Sequence, residues 1–223
     1  MSGFLLRDMT PDGLCAYVSR QLNLYFPDKH LISPQQLRPI VDEALERTRA
    51  CFAGIEKKKF RADGQVMFNY LHPDHYAMFL YLLSNTLSRR DRANPLAFRL
   101  FYLNKVMHGL DAYHDAELPE VFQFMHPLGT ILGHARYGNY FCVYQGCSVG
   151  SDEDGVFPEI GEHVILYAGA SVIGHSKIGN NVVIGAGAMV LNRDIPANKV
   201  VLGGSREVDM RDNNRHVRER QFS

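Results

Sequence analysis

An imidazole ionises near neutrality, so histidine is the side chain best suited to take a proton from an attacking hydroxyl or amine and return it. The chain has ten histidines in 223 residues. His126 stands apart in Phe124-Met125-His126-Pro127-Leu128-Gly129-Thr130-Ile131-Leu132-Gly133, where a repeating pattern begins. Such a base works best when a carboxylate holds its second ring nitrogen, fixing the tautomer and supporting the imidazolium. Asp111, Asp115 and Glu117 lie upstream and are of the right type. Other chemistries find less support. His134, His163 and His175 lack the spacing of a zinc site, and His72-Pro73-Asp74-His75 reads as a helix start, so no metal is expected. The four cysteines, Cys15, Cys51, Cys142 and Cys147, form no disulfide framework. Cys142 and Cys147 fall where the repeat wants small buried groups, and a thiol serves there as a small hydrophobe.

Composition narrows the partners. Basic and acidic residues balance at 24 each, so no net field draws nucleic acid or an anionic membrane. No apolar run is long enough to span a bilayer, and Met-Ser-Gly-Phe-Leu-Leu-Arg-Asp lacks the apolar centre of a signal peptide. A cytoplasmic protein is expected. The basic runs Lys57-Lys58-Lys59 and Arg89-Arg90 read as solvated faces.

Two elements of different period must position the histidine. Residues 1–118 read as an α-helical domain. Thr10-Pro11 is an N-cap followed by proline at the first helical position, with Leu14, Val18 and Leu22 on one face. Ser33-Pro34-Gln35-Gln36 is a capping box, with Pro39 placed to distort the first turns. Val66–Leu87 reads as one apolar helix broken near His72-Pro73, and Asn94-Pro95 opens the last. From about residue 119 to 204 the period changes. Ile160, Leu166, Val172, Ile178, Ile184 and Val190 recur every six positions, and Val164, Ala170, Ser176, Val182 and Ala188 follow four later. Leu132, Tyr137, Val143 and Val149 extend the pattern upstream with one five-residue step, partnered by Phe141 and Cys147. A hexad repeat is the signature of a parallel β-helix, in which only stacking buries the apolar side of each coil. Ser151–Pro158 breaks the phase and reads as a loop inserted at one edge, the first place to seek a substrate lid. Residues 205–223 form a charged tail.

At His126 the chain resembles the serine O-acetyltransferases of the hexapeptide-repeat acyltransferases. The catalytic histidine of that family opens His-x-x-Gly-x-x-x-Gly, matched here by His126, Gly129 and Gly133. Its partner aspartate lies fifteen residues earlier, at Asp111 in this chain, and the resemblance runs from about Leu96 to Gly203. Gln145 before Val149-Gly150 and the coil Ile184-Gly185-Ala186-Gly187-Ala188 add to it. The resemblance implies a helical domain followed by a left-handed parallel β-helix. It implies His126 as general base, Asp111 as its orienting carboxylate, and acetyl-CoA as cosubstrate, with Ala168, Gly185 and Ala186 lining the pantetheine slot. It further implies homotrimers, or dimers of trimers, with coenzyme sites between prisms, and a role in cysteine biosynthesis.

Departures limit what carries over. The family's inserted loop holds an Arg-His-Pro-like segment whose histidine grips the amino-acid acceptor; Val156-Phe157-Pro158 stands there. An aromatic ring cannot make that hydrogen bond, which weakens the case for serine. The family's Gly-Val-Pro-Ala-Arg becomes Gly203-Gly204-Ser205-Arg206-Glu207, and the C-terminal isoleucine that docks into cysteine synthase is replaced by Ser223. No cysteine synthase complex is therefore expected. The arginines Arg206, Arg211, Arg215, Arg218 and Arg220 are placed either to reach coenzyme phosphates or to solvate the tail. Two further readings remain, an N-acetyltransferase acting on an amino sugar or similar amine, and a non-catalytic trimeric scaffold.

Overall fold

A computed structural model describes residues 3–204 and 207–223; Ser205 and Arg206 lie outside the described residues. The chain builds four helices, α1 (Pro11–Tyr25), α2 (Pro34–Ala53), α3 (Pro73–Arg90) and α4 (Pro95–His108), before the prism. Their starts follow from local chemistry. Thr10 accepts from the Gly13 N–H, Ser33 and Gln36 close a reciprocal capping box, and Asn94 accepts from the Leu96 N–H. Pro39 is accommodated inside α2, which runs unbroken. α4 ends on Gly109 in the left-handed conformation. Nearly every residue of α3 from Asp74 to Thr86 is buried, as expected of a helix apolar on all sides. It lies at the centre, against α2, α4 and the strand Phe122–Met125. The Tyr81 hydroxyl donates to Ala116 O at 2.6 Å and accepts from Leu118 N at 2.9 Å, tying helices to prism.

The expected helix over Val66–Leu87 is present from Pro73 onward, but the stretch before His72-Pro73 is not helical. Val66 belongs to a strand, Gln65–Phe68, not to a broken helix. Asp63 and Gly64 both have positive φ, +49° and +74°, and turn Arg61–Ala62 back onto that strand, while Phe4–Leu6 pairs in parallel on its other side. Asp-Gly is a strong two-residue hairpin signal, and the pairing partners override the helical appearance of the segment.

The prism has three faces. The first stacks Phe122–Met125, Phe141–Tyr144, Ile165–Leu166, Val183–Ile184 and Lys199–Gly203. The second stacks Asp111–Ala112, Ile131–Leu132, Ser148–Gly150, Ser171–Ile173 and Met189–Leu191. The third stacks Arg136–Tyr137, Glu159–Ile160 and Lys177–Ile178. All these neighbours are parallel, and their register is the hexad itself: Ile160 faces Tyr137 and Ile178, Leu166 faces Val143 and Ile184, Val172 faces Val149 and Val190. Every one of those side chains is buried. Burying each contributes about 1.5–3 kcal/mol, available only once a neighbouring coil is in place. The prism also begins earlier than residue 119, since Asp111–Ala112 already pairs with Ile131–Leu132.

The tail is not a solvated appendage. Val208–Asp212 pairs antiparallel with Lys199–Gly203, and the short helix α5 (Val217–Gln221) docks with Val217 and Phe222 buried. It lies along the edge between faces three and one, where Tyr140, His163, Asn181 and Asn198 stack with φ between +57° and +61°. Phe222 packs on Tyr140, and the Arg218 guanidinium lies over the same ring.

Candidate active site

The edge between faces one and two turns at Gly129, Gly146, Gly169 and Gly187, all with φ near +70°. A Cβ at Gly146 would sit 3.7 Å from Gly169 Cα, and one at Gly169 would sit 3.8 Å from Gly187 Cα, so the glycines form a continuous backbone track. Ala168 and Ala186 lie on this track, half-buried and exposed respectively. Gly185 is buried, and a Cβ there would come within 2.5 Å of Leu202 Cδ2, so this glycine serves coil packing and Ala186 presents the surface. His126 stands at the head of the same edge.

His126 itself has φ of +51°, and its side chain is 73% exposed. A left-handed non-glycine residue costs about 1–2 kcal/mol and is retained where its surroundings hold it. Asp74 provides that hold. Its Oδ1 accepts the His126 backbone N–H at 3.1 Å and lies 3.8 Å from the ring Nδ1. Asp74 occupies the first turn of α3 after Pro73, where the helix N-terminus favours a carboxylate, and its side chain is only 2% exposed. Its other oxygen receives Lys59 Nζ at 3.0 Å, and Lys59 also touches Met125 Sδ. The neighbouring His72 imidazole is held below its usual range by burial, against the opposing pull of Asp74. The Nδ1 side of the exposed His126 ring is thus the side nearer the fixed Asp74 carboxylate.

Asp111 lies on face two beside Ile131, with its Oδ2 bound to Lys105 Nζ at 2.6 Å. Among the described residues the carboxylate within 4 Å of a His126 ring nitrogen is that of Asp74, 52 positions away in sequence. Nothing in the spacing of the chain signalled that contact, although Asp74 stood in a motif read as a helix start. Phe157 lies on a different edge, between faces two and three, where the inserted loop leaves the prism. It packs edge-on against His134, with ring centres 6.0 Å apart.

Burial disqualifies the thiols as nucleophiles. Desolvation pushes Cys51 and Cys142 up to about 12 and Cys15 to about 11, and raises Cys147 as well. Among the described residues no three or more His, Cys, Asp or Glu side chains converge as a metal site requires. The tail arginines pair locally, Arg211 with Asp209 and Arg220 with Arg215 O, with Arg218 over Tyr140.

The bacterial transferase hexapeptide repeat model matches residues 157–192. The structure superposes on serine acetyltransferase from Neisseria gonorrhoeae with a TM-score of 0.71 at 22% identity, covering 96% of this chain and 83% of that one. The fold is that of the serine acetyltransferases. The enzyme from Brucella abortus strain S19 gives 0.69 at 18% identity over 92% of this chain and 85% of its own. A serine acetyltransferase in complex with CoA gives 0.67 at 19% identity, covering 92% and 86%. No curated protein sequence matches the chain. The serine acetyltransferase fold accounts for the helical domain and the left-handed prism together.

Proposed function

We propose that the chain is an acetyl-CoA-dependent O-acetyltransferase. The carrying observation is that one exposed imidazole, fixed through its backbone and flanked by a buried carboxylate, heads an edge of stacked glycines and alanines. The flat track lets the amides of a pantetheine arm approach the backbone at Ala168 and Ala186; use of the coenzyme itself is supported by a serine acetyltransferase of this fold in complex with CoA. His126 Nε2 accepts the proton of the acceptor hydroxyl as its oxygen attacks the thioester carbon. The tetrahedral intermediate collapses, the C–S bond breaks, and the imidazolium returns the proton to the sulfur. An ester and free coenzyme A leave, with no change of oxidation state. The transfer is direct, because the protein's own thiols are buried and protonated. The nearby anion supporting the imidazolium is Asp74; Asp111, favoured by its spacing, is the competing assignment.

The acceptor is a small hydroxyl compound, serine or a relative of it. The exposed Phe157 ring favours a second reading, in which the acceptor is an amine on a larger body such as an amino sugar. The prisms assemble as homotrimers, or pairs of trimers, in the cytoplasm. The test is His126→Ala, followed by free-thiol release from acetyl-CoA and by circular dichroism. Loss of release with an intact spectrum is the expected result, and retained turnover removes the mechanism.

A further inference from the structure

A second imidazole–carboxylate pair stands outside the site just described. His134 Nε2 lies 2.5 Å from Asp115 Oδ1, with side chains 49% and 19% exposed. Two rings flank the imidazole edge-on, Tyr113 at 5.9 Å and Phe157 at 6.0 Å. Phe157 reaches this place because Gly133 has no side chain: a Cβ there would meet Phe157 Cε1 at 3.0 Å. In the neutral ring that donates Nε2–H to this carboxylate, His134 Nδ1 is an acceptor, and it has no hydrogen-bond partner among the described residues.

Position gives this pair its meaning. His126 precedes and His134 follows the two-residue strand Ile131–Leu132, so they occupy opposite edges of face two on the same coil. That face presents Ile131, Met189 and Leu191 outward, 51%, 38% and 44% exposed. Three copies placing this face toward a threefold axis form an inner triangle, and at each vertex the His126 edge of one prism meets the His134 edge of the next. Rotation about an axis parallel to the prisms adds no axial shift, so residues of one coil meet at one level.

We propose that His134, held by Asp115, positions the acyl acceptor for His126 of the adjacent protomer, with Phe157 and Tyr113 against the body of the acceptor. This rests on the acyl-transfer and threefold reading above. An acceptor nitrogen backed by an anion selects a donor, so the substrate class is a hydroxyl compound that also carries an ammonium or second hydroxyl group. Asp115 acts through His134 and is a positioning residue.

The experiment measures thiol release from acetyl-CoA with L-serine and with D-glucosamine as acceptors, using the full chain. For His134→Ala the acceptor KM rises about tenfold or more, the loss expected of one charge-assisted hydrogen bond, while the acetyl-CoA KM is unchanged. Asp115→Asn gives a smaller rise, and His134→Gln restores part of the loss. Mixing His126→Ala and His134→Ala chains in equal amounts regenerates about a quarter of the seams with both histidines, because each seam draws on two chains. A fraction with wild-type acceptor KM therefore reappears. Unchanged acceptor KM in His134→Ala, or no recovery on mixing, overturns this proposal alone. Absence of thiol release by the wild-type chain with every acceptor overturns the acyl-transfer reading and this proposal with it.

Discussion

Asp74→Asn separates the two carboxylates competing for His126. Asp74 Oδ1 is 3.8 Å from Nδ1, where unit charges attract by about 1 kcal/mol in water and about 4 kcal/mol at the effective dielectric near a protein surface. The imidazole is 73% exposed, so the lower part of that range applies, about 1–2 kcal/mol of support for the imidazolium formed during proton transfer. Losing it lowers kcat/KM about 5–30-fold. Asparagine still accepts the His126 N–H, so the turn keeps its geometry, but Lys59 is left without its partner. A stability loss of about 1–3 kcal/mol accompanies the change, and urea unfolding identifies conditions in which the variant remains folded. Asp111→Asn, by contrast, removes a half-exposed pair with Lys105, costs about 0–1 kcal/mol, and leaves turnover within about threefold. Thiol-release kinetics at matched folded fractions compare the two. A greater loss in Asp111→Asn than in Asp74→Asn refutes the reasoning and returns the orienting role to Asp111.

Two further outcomes follow from packing and from buried imidazoles. Phe222→Ala removes a ring that is 1% exposed and frees α5 from Tyr140, costing about 3 kcal/mol in urea unfolding. Turnover per folded molecule stays unchanged, because the tail lies on another edge from His126. Burial lowers His75 to about 2 and His108 to about 4, so both stay neutral in the folded chain as pH falls, while the unfolded chain takes up their protons near pH 6.5. Stability therefore declines below that pH, His108 contributing down to about 4 and His75 further, each at about 1.4 kcal/mol per pH unit. His108→Gln should remove one such increment between pH 6 and pH 4.5 in urea titrations. An unchanged slope would show that His108 gains no proton on unfolding.

The prism was legible because its rule is local. Each apolar residue of the hexad becomes the inward residue of the next face, so Ile160, Leu166 and Val172 announce faces three, one and two in turn. The helix starts were legible for the same reason, since Thr10, Ser33 and Asn94 satisfy N–H groups within three residues of themselves. Long-range pairings were not. Gln65–Phe68 is a strand because Phe4–Leu6 lies beside it, and only Asp63-Gly64 hinted at this. Asp74 reaches His126 through the docking of α3 on the prism, which no spacing encodes. His134 and Asp115 are brought together by stacking of the coil on the strand above it. The tail misled because its charged residues outnumber the two apolar anchors, Val217 and Phe222, that seat it.

The antiparallel strand Val208–Asp212 has a consequence for the company the molecule keeps. A solenoid ends in unpaired N–H and C=O groups, a template onto which another chain can add. Here Lys199–Gly203 is already spoken for along its whole length by the chain's own return strand, whose exposed residues include Asp209, Arg211 and Asp212. A chain cut after residue 204 would expose that rung of backbone and tend toward end-to-end filaments, whereas with Val208–Asp212 in place the rung on face one is covered.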